Sequence, residues 1–313
     1  MKNFRRLFEA EKLAYFHHNY GVYQHANRRK VIAVWTASVL SVCVSFFLVQ
    51  TYLIPLIQKS SYLQKQKAEH HSVPAETVGD DKKLEPIIRN NSELEVIISN
   101  KLQSFPSDQS WSVYFYDLGN DSKVEINANK NRDAASLYKL FLLETLEQKV
   151  PFAEWENTWL KDQSIYDCVF NMLQEGDDPC SEDLSDHIGL NDVDKLNKKN
   201  GYEGTVLSGN GKQTNAKDAG DLIVSLKNGQ SMSDFARRYV FDALYQQQIK
   251  KGIAKGCGEC RTANKLGQLS EVAYDAGVVT HGKKSYVLVV MSQGGDFKQI
   301  TELTKIIDNY FRN

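Results

Sequence analysis

The sequence predicts an α/β (α+β) fold: an antiparallel sheet flanked by N- and C-terminal helices, with an inserted all-helical lobe, preceded by an N-terminal transmembrane helix. Three observations point there. Strand-like stretches at 111–127 and 272–291 bracket a helical middle at 150–235. Helical periodicity opens and closes the same region. An uncharged apolar run, Val31 to Ile57, stands in front of it all.

The first 30 residues form a basic tail. Lys2, Arg5, Arg6, Lys12, Arg28, Arg29 and Lys30 face only Glu9 and Glu11. The next segment, 31–57, is long enough to cross about 30 Å of hydrocarbon as a helix of roughly 20 residues. A secretory signal has a shorter apolar region nearer the terminus and ends in a small-residue cleavage site, so an anchor fits better. The Lys/Arg cluster keeps the N-terminus cytoplasmic, with Trp35 and Tyr52 near the two interfaces. A single-pass membrane protein whose folded domain lies outside the cytoplasm is the expectation. Residues 58–85 are polar and charged with scarcely any apolar periodicity, and read as a solvated stalk.

The folded domain is expected over 86–313. Leu94, Ile97, Ile98 and Leu102 recur at helical spacing. Trp111 to Leu118 and Lys123 to Asn127, joined through Gly119-Asn120-Asp121, read as a β-hairpin. A hydrophobic helix then opens on Ser136-Leu137-Tyr138-Lys139. Among the helical patterns of the middle, Asn215 to Leu226 stops at Lys227-Asn228-Gly229. Strands return at Val272 to Thr280 and Ser285 to Met291 around the turn His281-Gly282-Lys283-Lys284. A helix from about Asp296 to Phe311 ends the chain.

Charge excludes one class of function. Lys+Arg 38 against Asp+Glu 39 in 313 residues gives no basic surplus for nucleic acid. Outside the span, Cys168, Cys180, Cys257 and Cys260 allow three pairings in a compartment where disulfides persist. The local solution, Cys168 with Cys180 and Cys257 with Cys260, is the working expectation; a redox dithiol at Cys257 and Cys260 is the alternative. No suitably spaced Cys or His pair completes a zinc set, and no metal or cofactor is expected.

The chemistry begins at Ser136. Lys139 follows it by three positions, so hydroxyl and amine share one helical face. A serine needs a neighbouring base, and a lysine desolvated at a helix start can serve as one. A histidine-based hydrolase is disfavoured, because only His187 and His281 lie in the folded region.

The order of elements, with Ser136-Leu137-Tyr138-Lys139 after the hairpin, resembles the class A beta-lactamases and related penicillin-binding serine hydrolases, whose signatures are S-x-x-K, S-D-N and K-T-G. Gly176-Asp177-Asp178 is similar to the second signature, with Gly176 in place of serine and Asp178 in place of asparagine. Lys265-Leu266-Gly267 is similar to the third, with Leu266 in place of threonine, and Tyr274 to Val279 resembles the strand that follows. The resemblance covers roughly 86–313.

It implies a divergent member in which Ser136 forms an acyl-enzyme on a beta-lactam or a peptidoglycan-like peptide, with Lys139 as proton acceptor. The backbone N–H groups of Ser136 and Gln268 would hold the oxyanion. Lys265 would meet a substrate carboxylate, and Gly176, Asp178, Leu266 and Gly267 would line the substrate site. Gly176 and Leu266 each lack a hydroxyl, which slows acylation. Asp178 replaces a donor by a carboxylate, which either pairs with a lysine or repels an anionic substrate. Residues 200–214 hold no E-x-x-L-N pattern and only one acid, Glu203, so slow deacylation is expected. The alternatives are a catalytically impaired module that binds wall peptides and a penicillin-binding peptidase acting on wall stem peptides.

Overall fold

The structure, a computed structural model, describes residues 91–313. The expected basic tail, membrane span and stalk lie outside the described residues. Among the described residues no helix is long and apolar enough to cross a membrane.

Helix α1 (Asn91–Gln103) leads, burying Leu94 and Ile98. Strands β1 (Ser110–Asp117) and β2 (Lys123–Ile126) form the expected hairpin, with Tyr116 opposite Lys123. Its turn is tied by Asp117, which accepts from the Gly119 N–H at 2.8 Å, and by Asn120, which accepts from the Ser122 N–H at 3.0 Å. Strands β7 (Arg261–Leu269), β8 (Val272–His281) and β9 (Lys284–Gln293) complete one antiparallel sheet, ordered β2-β1-β9-β8-β7. The centre of β9, Tyr286 to Met291, is buried on both faces, which is why it reads as an unbroken apolar run.

One sheet face packs Val113, Phe115, Leu288 and Val290 against α1 and the closing helix α9 (Phe297–Arg312). A capping box starts α9, with Asp296 and Gln299 bonding reciprocally. The other face, carrying Tyr114, Val287, Val289 and Met291, meets the helical lobe. At the centre of that lobe is α2 (Tyr138–Lys149), whose residues 139–146 are all buried, so it shows no polar face. Around it stand α3 (Ile165–Gln174), α4 (Asp178–Ile188), α5 (Leu190–Lys199), α6 (Ala216–Lys227) and α7 (Asp234–Tyr245).

Four short strands and a short helix complete the trace: β3 (Arg132–Asp133), β4 (Trp159–Leu160), β5 (Gln163–Ser164), β6 (Gln213–Thr214) and α8 (Gly252–Gly256). β3 pairs with β6, which anchors the segment entering Ser136 to the end of the 200–214 loop. Cys168 is bonded to Cys180 across α3 and α4, with 5.4 Å between Cα atoms, and Cys257 to Cys260, as the local pairing anticipates.

Two details differ from the expectation. β7 has no apolar alternation, because Thr262, Asn264, Lys265, Gly267 and Gln268 interrupt it, and it is held by nine residue pairs with β8. The motif serine stands in a 3-10 turn, Ala135–Leu137, ahead of α2 rather than inside an α-helix.

Candidate active site

Three separate segments meet at the start of α2. The first is the 3-10 turn. Ala135 has φ 43°, a left-handed conformation that is unfavourable for any residue with a Cβ. Its N–H donates to the Asp133 carboxylate at 2.8 Å, and the Ala134 N–H donates to the Lys212 carbonyl at 2.8 Å. Those bonds hold Ser136 at the end of β3. Ser136 is half-buried, and its hydroxyl makes no hydrogen bond with any described residue.

The second segment is the turn between α3 and α4. The N–H groups of Glu175 and Gly176 both donate to the Asn171 carbonyl, at 2.9 and 3.1 Å, and Gly176 ends the helix with φ 82°. Asp177 then caps α4, accepting from the Cys180 N–H at 3.1 Å. This tight reversal aims two carbonyls and one carboxylate at the amine of Lys139. Lys139 is fully buried, and its Nζ donates to Gly176 O at 2.8 Å, to Asp177 O at 3.3 Å and to Asp178 Oδ1 at 2.6 Å. The Asp178 side chain is 73% exposed while that of Lys139 is 0% exposed, so the pair joins a buried amine to a solvent-facing carboxylate. Of the two outcomes open for Asp178, pairing with a lysine is the one observed.

The third segment is β7, the edge strand beside the 3-10 turn. Gly267 permits that approach: a Cβ there would meet the Ala135 Cβ and the Tyr274 side chain at 3.3 Å each. Lys265 is only 3% exposed, and its amine forms no hydrogen bond or ion pair among the described residues. Burial pulls its pKa down to about 8; the Lys139 charge adds to the fall, and Asp178 and Asp275 oppose it. A Cβ on Gly176 would lie 3.5 Å from this amine, an ordinary contact distance, which places Lys265 directly beside the α3–α4 turn.

Ser136, Lys139, Gly176, Asp178, Lys265 and Gly267 are therefore gathered from three places in the chain. Leu266 is buried and, by strand alternation, lies on the sheet face opposite Lys265. Gln268 is exposed one residue past Gly267. Glu203 is exposed, with no hydrogen bond or ion pair among the described residues. Within its loop the N–H groups of Leu207 and Ser208 donate to Asp194 on α5 at 2.7 and 3.0 Å.

Two groups supporting the site had no signal in the sequence. Tyr138 is hydrogen-bonded to Ser181 on α4 at 2.8 Å, with the Lys212 amine over its ring at 4.5 Å. Asp275, fully buried on β8, accepts from Asn264 Nδ2 at 2.8 Å and from the Ile253 N–H at 2.7 Å. Its pKa is pushed up to about 7 by burial, against the restraining effect of its donors and of Lys265.

A family model described as "Beta-lactamase enzyme family" matches residues 157–311, a span that includes the second and third segments. No curated protein sequence matches the chain. Among solved structures, PBP-A is similar at 18% identity with a TM-score of 0.65, covering 71% of this chain and 96% of its own. A beta-lactamase from Sphaerobacter thermophilus is 17% identical with a TM-score of 0.61, covering 70% and 95%. A TLA-1 extended-spectrum beta-lactamase variant is 15% identical with a TM-score of 0.64, covering 71% and 99%.

Proposed function

The chain is a divergent member of the beta-lactamase-like family, and on that premise we propose that it is a membrane-tethered serine hydrolase that forms a slowly released acyl-enzyme on a beta-lactam or a related wall-peptide amide. The observation that carries this reading is the meeting of Lys139, the Gly176–Asp178 turn and Lys265 in one cluster beside Ser136. A PBP-A variant has been solved as an acyl-enzyme complex with penicillin G, and the present fold is similar to it, with a TM-score of 0.64.

In the proposed reaction Ser136 Oγ attacks the carbonyl carbon while Lys139 accepts the hydroxyl proton. The backbone N–H groups of Ser136 and Gln268 stabilise the oxyanion, each such donor contributing about 3 to 4 kcal/mol. The Lys265 ammonium binds a substrate carboxylate. The C–N bond breaks as Lys139 returns the proton to the leaving nitrogen. Deacylation is slow in this scheme, since Glu203, the acid of the 200–214 loop, faces solvent and that loop is bonded to α5. Residues 31–57 would anchor the enzyme with its catalytic domain outside the cytoplasm.

The test is labelling with a fluorescent penicillin followed by intact-mass measurement. A stable adduct on the native protein and none on Ser136→Ala is expected; no adduct, or equal labelling of both, overturns acyl chemistry. A second reading, a wall-peptide-binding module without catalysis, is favoured by one observation. All three N–H donors of the Lys139 ammonium are engaged away from Ser136. Equal binding of wall peptides by native protein and Ser136→Ala, with no adduct on either, would establish it.

A further inference from the structure

Lys139 sits in a donor–acceptor balance that has two solutions. An ammonium carries three N–H donors, and three acceptors surround it: Gly176 O, Asp177 O and Asp178 Oδ1. A neutral amine carries two N–H donors and one lone pair. The two carbonyls alone would satisfy that form and leave the lone pair for the Ser136 proton. Which form the site holds therefore turns on where the Asp178 carboxylate is engaged.

That carboxylate is open to competition. Its side chain is 73% exposed, and Oδ2 accepts no hydrogen bond from any described residue. A carboxylate offers about four lone-pair positions over its two oxygens. A ligand cation can reach it without any rearrangement of the fold, whereas a ligand anion is repelled. Across the cleft the buried Lys265 amine has no partner among the described residues and suits a carboxylate.

We propose that Asp178 is the specificity-determining residue of the cleft, selecting zwitterionic amides whose carboxylate meets Lys265 and whose ammonium meets Asp178, and that this second contact frees Lys139 to act as base. The proposal rests on the acyl-transfer reading above and adds to it the substrate class and the trigger. The protons are accounted for in three steps, the first of which leaves one proton in solvent that Lys139 regains when the ammonium vacates Asp178. Lys139 first passes one proton through the solvent-exposed Asp178 carboxylate to water as the substrate ammonium takes over Asp178. It next receives the Ser136 proton while Oγ bonds to the carbonyl carbon. The C–N bond then breaks, and Lys139 passes that proton to the leaving nitrogen.

The experiment compares three penicillins that share a nucleus and its carboxylate and differ in side chain: α-aminophenylacetyl, phenylacetyl and α-carboxyphenylacetyl. With native protein the ammonium compound should acylate about tenfold faster than the neutral one, the size expected for a new charge-assisted contact, and the dianion should be slowest. Asp178→Asn should bring the first two within about twofold of each other, chiefly by speeding the neutral compound. Ser136→Ala, which forms no ester, should still bind the ammonium compound about tenfold more tightly, a preference that the added Asp178→Asn removes.

Equal rates across the three on native protein, or a preference that survives Asp178→Asn, overturns the proposal. A binding preference that depends on Asp178 without any adduct supports selection by Asp178 and sinks the acyl-transfer reading instead. The two failures are thus told apart.

Discussion

A Cβ built on Gly176 stands 3.5 Å from the Lys265 amine, so the missing side chain of the second motif leaves a gap facing the cation of the third. Gly176→Ser would place a hydroxyl in that gap, able to accept from Lys265 and to pass a proton toward a leaving nitrogen. The backbone opposes it, since Gly176 has φ 82°. We expect faster acylation by penicillin together with a loss of about 1 to 2 kcal/mol in stability. Stopped-flow acylation and urea unfolding of the same variant read both; unchanged acylation would show that the gap has no part in proton transfer.

Lys265 should make substrate capture sensitive to alkali. Its pKa lies near 8, lowered chiefly by burial, so its positive charge disappears as the pH rises through that value. The second-order acylation rate constant, which reports the free enzyme, should fall above pH 8 by up to about tenfold per pH unit for a carboxylate-bearing penicillin. Lys265→Arg keeps its charge throughout and should remove the alkaline limb, though with a lower plateau. A native profile flat to pH 9.5 would contradict the role given to this amine.

Asp275 should shape stability on the acid side. Burial raises its folded pKa to about 7 from an ordinary 3.8, so between those values the folded state keeps a proton that the unfolded chain releases. Its contribution is therefore complete below about pH 4 and lost as the pH climbs through 7. Asp275→Asn stays neutral and should flatten this part of the curve. The Asn264 Oδ1, buried with no partner, can turn to accept from the new amide. Urea unfolding from pH 4.5 to 7.5 checks it: the same slope in both proteins would place the titration elsewhere.

The cross-link between α3 and α4 should matter more than its size suggests. Cys168 and Cys180 are 12 residues apart, and a closed loop of that length is worth roughly 3 kcal/mol in the chain-entropy account. The Gly176–Asp178 turn lies inside the loop, so Cys168→Ser with Cys180→Ser should lower both the melting temperature and the acylation rate. Thermal unfolding and penicillin labelling of the double variant decide. Loss of stability with full labelling would mean that the turn is held by its own caps alone.

These contacts mark where sequence reading reaches and where it stops. β9 and α9 were legible because each carries its own evidence: an apolar run set by burial on two faces, and a capped amphipathic repeat ending the chain. β7 was hidden, since the residues that bring it to the cleft, Lys265 and Gly267 among them, are those that spoil an alternating pattern. The spacing of Ser136 and Lys139 was visible. The contact of Lys139 with Asp178 was not, because it spans 39 positions and depends on how α3 reverses into α4. Chemistry-bearing residue types are local facts; the partner each one takes is a property of the packed lobe.

Ala135 carries a wider consequence. Its left-handed backbone is a conformation that an alanine leaves readily, by about 1 to 2 kcal/mol, unless its surroundings forbid it. The restraints are the Asp133 carboxylate, the Lys212 carbonyl fixed one residue earlier and the close flank of Gly267. Weakening any of them would release the neighbour of Ser136 before any distant helix loosened. Loss of penicillin labelling on heating or in mild denaturant should therefore precede unfolding, with the Ser136 hydroxyl drifting out of register while the scaffold around it still stands.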